Sequence, residues 1–134
     1  MNITYTDDIS NITPDMLDGG FFAGWPNPPD ATMHLRLLRG SYLAYVAVDA
    51  ATNKVVGFVN AISDGVLSAY IPLLEVLPQY QGRDIGSTLV KHVLANLADL
   101  YMIDIVCDEN IQPFYAKLGA TNWTASIFRN HKNL

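Results

Sequence analysis

Apolar residues along the chain fall into two regimes that meet near its middle. Over residues 70–77 they run almost continuously, with Glu75 the only charge, and Pro78 stops the run; this predicts a strand buried on both faces. After a polar, glycine-bearing stretch, Ile85, Leu89, Val90, Val93, Leu94 and Leu97 recur at helical spacing, which predicts an amphipathic helix with one buried stripe. Upstream, residues 3–5 suit a short strand, and Thr13-Pro14 a weak helical turn with Thr13 as cap and Pro14 in the first helical position. Asp30 caps a helix through Arg39, with Gly40 as its stop. Residues 42–48 and 55–63 flank a polar turn over 49–54 and read as an antiparallel hairpin, and Asp64-Gly65 reverses the chain into residues 67–77.

Downstream, residues 102–107 form a short buried-type strand, which the right-handed crossover rule makes a parallel neighbour of the strand ending at Leu77. Asp108-Glu109-Asn110 opens a helix over 111–118 that Gly119 ends, residues 121–129 supply a closing strand, and 131–134 form a frayed tail.

The join between the central strand and helix is a ready anion site. The first N–H groups of a helix lack intrahelical partners and the macrodipole adds partial positive charge there, so phosphate is the natural guest. The stretch is neither the P-loop nor the dinucleotide G-x-G-x-x-G. It resembles motif A of the GNAT acetyltransferase superfamily, Gln/Arg-x-x-Gly-x-Gly/Ala, present as Gln81-Gly82-Arg83-Asp84-Ile85-Gly86 after Val76-Leu77-Pro78-Gln79-Tyr80. Pro113-Phe114-Tyr115-Ala116-Lys117-Leu118-Gly119-Ala120 resembles the family's second signature, a Tyr four residues before a Gly.

The resemblance spans roughly residues 55–120. It implies an α/β fold, α+β in some schemes: a mixed, mostly antiparallel sheet of six to seven strands with about four helices, split between the strands ending near Leu77 and Cys107. It also implies acetyl-coenzyme A as cofactor, with its pyrophosphate on the loop from Gln81 and Gly82 through Arg83, Asp84, Ile85 and Gly86 to Ser87. Backbone groups around Leu74 and Val76 take the pantetheine arm and polarise the thioester carbonyl. Asn110 stands in for the family's cofactor-contacting Asn, whose own position is Asp108. One residue departs from the motif: Asp84 replaces its first glycine. Asp tolerates a left-handed backbone and is a good N-cap, but it sets a carboxylate beside the pyrophosphate.

Composition narrows the setting. A length of 134 residues fits one domain, 1–134. The N-terminus lacks signal-peptide regions and no apolar run approaches the ~18 residues of a membrane span, so a cytoplasmic protein without membrane partners is expected. Cys107 is the only cysteine, and no zinc-ligand spacing occurs, so no metal is expected. A formal charge of −5 argues against nucleic acid and favours cationic small molecules. Coenzyme A is an anion, so its site must be locally basic; Arg83, Lys91 and Lys117 are the nearest bases in sequence.

Acetyl transfer to an amine needs a neutral amine, a stabilised oxyanion and a proton for the leaving thiolate. Deprotonating an amine of pKa ~10.4 at pH 7 costs about 4.6 kcal/mol. Tyr115 is the candidate general acid, the role the resemblance gives its position, and an ordinary packed ring is the alternative. Glu75, a lone charge in an apolar run, is the candidate base, a structural ion pair being the alternative; Asp104 and Asp108 are weaker choices. The glycine- and proline-rich loop over 19–29 carries Phe21, Phe22 and Trp25, which either plug the core or wall a pocket. Phe22, Trp25 and Tyr70 are the substrate-site candidates, and His34 reads as a surface or packing residue. The acceptor is then a small primary amine or a protein or peptide amine, with a non-catalytic coenzyme A-binding or protein-interaction module as the rival. The oligomeric state is left open, a homodimer among the options.

Overall fold

A computed structural model describes residues 1–133; Leu134, the last residue of the expected frayed tail, lies outside the described residues. Its core is a five-stranded sheet: β1 (Ile3–Thr6), β2 (Leu43–Asp49), β3 (Lys54–Ser63), β4 (Ser68–Val76) and β5 (Met102–Asp104), side by side in that order. The first four are antiparallel neighbours and β5 runs parallel to β4. Three α-helices accompany it: α1 (Ala31–Gly40), α2 (Ile85–Asn96) and α3 (Gln112–Ala116).

Residues 55–61 of β3 are all buried, as a strand covered on both faces demands. Gly57 lies at its centre, where a Cβ would come within 3.2 Å of Leu89 Cδ1 and 3.3 Å of Ile85 Cγ2, so the missing side chain lets α2 settle onto the sheet. Ile85, Leu89, Val90 and Val93 are buried on α2, with Leu97 just beyond its end, close to the expected stripe. On α1, His34, Leu35 and Leu38 are buried, and Asp30 Oδ1 accepts the Met33 amide at 2.8 Å as the predicted N-cap.

Several expectations need correction. The sheet has five strands rather than six or seven, and the turn at Pro14–Leu17 is 3-10, leaving three α-helices instead of four. β5 ends at Asp104, short of Cys107, because β4 is bulged: Asn60 faces Leu73 but Ile62 faces Tyr70, so Ala61 meets both Ile71 and Pro72, the latter without an N–H to give. The last helix is shorter than 111–118, beginning as a 3-10 turn (Glu109–Ile111) in which Asp108 holds the cap position without a side-chain bond. Residues 121–129 form no strand, for they have no strand beside them. Residues His131–Asn133 make an exposed 3-10 turn. Among the described residues no helix is long and apolar enough to cross a membrane.

Candidate active site

The site begins where the sheet comes apart. β4 and β5 pair only at Ser68↔Met102, Ala69↔Ile103 and Tyr70↔Asp104. Beyond that point β4 continues through residues 71–76 with no strand on its β5 side, so backbone groups along that edge are free to bind an extended ligand. Leu74 and Val76 lie on this open stretch.

The chain then turns through the 3-10 residues Pro78–Tyr80 into α2. Gln81 Nε2 donates to the Val76 carbonyl at 2.9 Å, closing the loop onto the strand end. Gly82 (φ 76°) and Asp84 (φ 61°) are both left-handed, and these two reversals bring successive amides to one side. Among the described residues, the backbone N–H groups of Gly82, Arg83, Asp84, Ile85, Gly86 and Ser87 have no acceptor within the chain. The Asp84 carbonyl takes three bonds, from Thr88 N (3.0 Å), Thr88 Oγ1 (2.7 Å) and Ser87 Oγ (3.1 Å). Its carboxylate makes no capping bond, which corrects the expectation that Asp84 caps α2 with its side chain: a capping side chain reaches the helix amides from extended backbone, and Asp84 is left-handed.

Arg83 lies over the Tyr80 ring at 5.9 Å, and Tyr80 in turn donates its hydroxyl to Asp49 Oδ2 at 2.7 Å. That bond holds the Asp49 carboxyl below its ordinary range and pushes the Tyr80 phenol up. The one ion pair among the described residues is Lys54–Asp18 (2.9 Å), so Arg83, Lys91 and Lys117 keep their charge for other partners. Lys91 and Lys117 are exposed.

α3 closes the other side. A Cβ on Gly86 would meet Phe114 Cζ at 3.6 Å and Val76 Cγ2 at 3.7 Å, so the second motif glycine admits the Phe114 ring against the end of β4. Tyr115 packs edge-on to Phe114 at 5.0 Å and is buried; burial, then the neighbouring Cys107, pushes its phenol up to about 12. Asn110 and Asp108 are exposed on the turn before α3. Phe114 and Cys107 were not among the site candidates expected from the sequence. Phe114 was findable as the bulky neighbour of Tyr115 facing a motif glycine, whereas Cys107 was marked only as the lone cysteine and a strand end.

On β4, Glu75 and Val76 point to opposite faces of the sheet. Val76 faces α2 and α3; Glu75 reaches the loop before α1, where its two oxygens accept the Phe22 N–H at 3.0 and 3.1 Å. Phe22 is 2% exposed and left-handed (φ 63°), an uncommon backbone for a bulky residue that the Glu75 contact and the packing hold in place. Its ring packs with Trp25 (5.1 Å), His34 (4.9 Å) and Phe58, and His34 lies 4.3 Å from Phe58. Burial raises the Glu75 carboxyl above its usual 4.5, partly opposed by the Phe22 bond. It lowers His34 to about 4, leaving a neutral ring whose Nε2 has no partner. A cavity of about 210 Å³ opens here, bordered by Phe21, Phe22, His34, Asp18 and Asp30.

Of the predicted substrate residues, Phe22 and Trp25 come together near Glu75. Tyr70 sits five residues earlier on β4, about 16 Å along the strand, and does not join them. His34 is a packing residue, as one reading had it.

The split between β4 and β5, the amide-rich loop at its mouth and the helix beyond it are the architecture of the GNAT fold. The chain belongs to the acetyltransferase (GNAT) family, whose model matches residues 11–120. It is 42% identical to a presumed acetyltransferase from Deinococcus radiodurans R1 of solved structure, with a TM-score of 0.93 over 98% of this chain and 90% of that one. A GNAT family acetyltransferase from Streptococcus pneumoniae TIGR4 is 29% identical, with a TM-score of 0.73 over 96% of this chain and 97% of that one. The uncharacterised N-acetyltransferase ycf52 of the alga Pyropia yezoensis is 27% identical over 72% of this chain, and the matched part spans 57% of that protein's length. For GCN5-related N-acetyltransferase 3, chloroplastic, of Arabidopsis thaliana the identity is 36% over 55% of this chain and 32% of that protein.

Proposed function

We propose that the protein transfers the acetyl group of acetyl-CoA to the nitrogen of an amine, either a small primary amine or a protein or peptide amine, in a cytoplasmic setting. The observation that carries the proposal is the run of unpaired amides from Gly82 to Ser87 beside the open edge of β4. A pyrophosphate suits the first, with Arg83 as countercharge, and an extended pantetheine arm suits the second.

The chain's own groups then divide the work. Backbone N–H groups near Leu74 and Val76 face the charge that develops on the thioester oxygen. As the amine nitrogen bonds to the carbonyl carbon and the carbon–sulfur bond breaks, Tyr115 gives its proton to the departing sulfur. Glu75, raised by burial and so a stronger base than an ordinary carboxylate, takes the proton the amine must lose, directly or through water. Its oxygens hold the Phe22 amide yet keep lone pairs to spare, a carboxylate offering about four.

A panel of amines with acetyl-CoA, followed by release of free thiol, tests the activity. Asp84 favours one rival, a fold of this family that holds coenzyme A weakly or without turnover. Failure to release thiol with any amine, together with a coenzyme A-dependent rise in melting temperature, would select that rival. Unchanged melting at saturating coenzyme A would remove both readings.

A further inference from the structure

The cavity of about 210 Å³ beside Phe22 is lined unlike a simple packing gap. Phe21 and Phe22 give it apolar wall, and the hydrogen-bonding side chains on its border are Asp18, Asp30 and His34. Among the described residues no Lys or Arg borders it. Ionised carboxylates accept hydrogen bonds and give none, and a neutral imidazole always keeps one acceptor nitrogen. His34 is 1% exposed and its Nε2 has no partner; burial lowers it to about 4, so the ring is uncharged at neutral pH.

Both carboxylates have capacity to spare. Asp30 Oδ1 takes the Met33 amide at 2.8 Å and Asp18 Oδ1 the Lys54 ammonium at 2.9 Å, while among the described residues the Oδ2 of each has no hydrogen-bond partner. Lys54 also donates to the Asp15 carbonyl, at 2.6 Å, which turns it away from the lining.

A guest that suits this cavity is small, donates hydrogen bonds and tolerates aromatic walls. A primary ammonium meets all three conditions, with three donors, a positive charge and an attraction to the faces of aromatic rings. An anion would meet like charge instead. The formal charge of −5 steers the same class of guest from a distance. Size agrees, since a cavity of ~150 Å³ already holds benzene and this one has room for the end of an aliphatic chain.

The cavity is also placed for the reaction. Phe22 borders it and gives its N–H to Glu75, so a single residue lies between the cavity and the candidate base. We infer that the cavity holds the distal ammonium of a diamine or polyamine acceptor between Asp18 and Asp30, while the amine at the other end of the same molecule is presented beside Glu75. The reacting end loses its proton and bonds to the acetyl carbon as the carbon–sulfur bond breaks; the far end keeps its charge. The products are a mono-N-acetylated diamine and free coenzyme A. The inference rests on the proposed acetyl transfer for the reacting end and on the cavity alone for the other.

Thiol release is measured with α,ω-diamines of increasing length, each against the monoamine of the same carbon number. The diamine whose length spans the two sites is expected to exceed its monoamine at least about tenfold in kcat/KM, the difference lying in KM. Asp30→Ser keeps a capping side chain for the Met33 amide and Asp18→Asn gives up only an exposed ion pair, so the fold is expected in both. Each is expected to lower the diamine-to-monoamine ratio about tenfold, the low end for a hydrogen bond to a charged group at a mouth open to water. Equal efficiency for the two kinds of amine overturns the inference, and so does a diamine preference that survives both substitutions together. Calorimetric titration of each diamine, with coenzyme A and no acetyl donor, reads the cavity without turnover. Binding weakened by both substitutions supports the cavity even where no amine releases thiol, a result that would remove acetyl transfer alone. No binding of any diamine at millimolar concentration, or binding that the variants retain in full, overturns it.

Discussion

Both carboxylate oxygens of Glu75 accept the backbone N–H of Phe22, so the candidate base is also the clasp that fixes the aromatic loop to the end of β4. The two roles are separable by substitution. Glu75→Gln keeps an acceptor for Phe22 and removes the proton-accepting group, whereas Glu75→Ala removes both. Leaving the buried Phe22 amide without a partner costs about 1–3 kcal/mol, read by urea unfolding. Gln is expected to retain the fold and lose turnover; a Gln variant turning over at the wild-type rate would make Glu75 a clasp alone. The Glu75 carboxyl is raised in the folded protein, so its contribution to stability is present below the unfolded value of 4.5 and lost as pH rises through the folded one. Gln flattens that part of the stability profile.

In the proposed mechanism the Tyr115 hydroxyl acts only on the departing sulfur, and Tyr115→Phe removes it. Turnover is expected to fall ~10² to 10⁴-fold with coenzyme A affinity nearly unchanged. Because burial holds the phenol near 12, an alkaline limb of the wild-type profile below that pH belongs to another group. Steady-state rates for both proteins across pH, with calorimetric titration of coenzyme A, check the two statements together.

At Asp84 two backbone effects oppose each other. Glycine accepts the left-handed conformation and relieves roughly 1 kcal/mol, and its freer unfolded chain costs about 0.5–1 kcal/mol. No capping bond is lost. Asp84→Gly is therefore expected to leave stability almost unchanged and to tighten coenzyme A binding. The gain should be largest at low salt, where repulsion between carboxylate and pyrophosphate is screened least, the Debye length being ~10 Å at 0.1 M. Equal affinity at low salt would mean that Asp84 points clear of the phosphates.

His34 is buried and neutral, lowered to about 4 from 6.5. Between those values the unfolded chain binds the extra proton, so stability falls as pH drops from 6.5 toward 4, by about 3 kcal/mol at 1.36 kcal/mol per unit. His34→Leu should remove this acid weakness. Denaturant unfolding of both proteins at pH 7 and 4.5 decides it, and equal losses in the two would place the weakness elsewhere.

The positions of the strand, loop and helix around residues 70–97 were legible because their signals are local: an apolar run ended by Pro78, a glycine-bearing turn and a helical stripe; burial of that strand on both faces was not borne out, since β4 is mostly half-buried where its edge lies open. Left-handed tolerance at Asp84 was legible for the same reason. The contact that occupies Glu75 was not, since its partner is a backbone amide 53 positions away, and a lone acid in an apolar strand suggests catalysis and clasping equally. The length of β5 depended on the bulge at Pro72, whose effect falls on a different strand. Residues 121–129 read as a strand from composition, but composition supplies no neighbouring strand for them to pair with.

The bond between Tyr80 and Asp49 ties the start of the amide loop to the end of β2, and Ala50 beside Asp49 gives its N–H to Asn2 at 2.9 Å. The first strand, the β2–β3 turn and the loop before α2 are thus joined in one hydrogen-bonded linkage. A guest seated on the amides of residues 82–87 should therefore announce itself at the other end of that linkage, as slower deuterium uptake at Ala50 and Ala51.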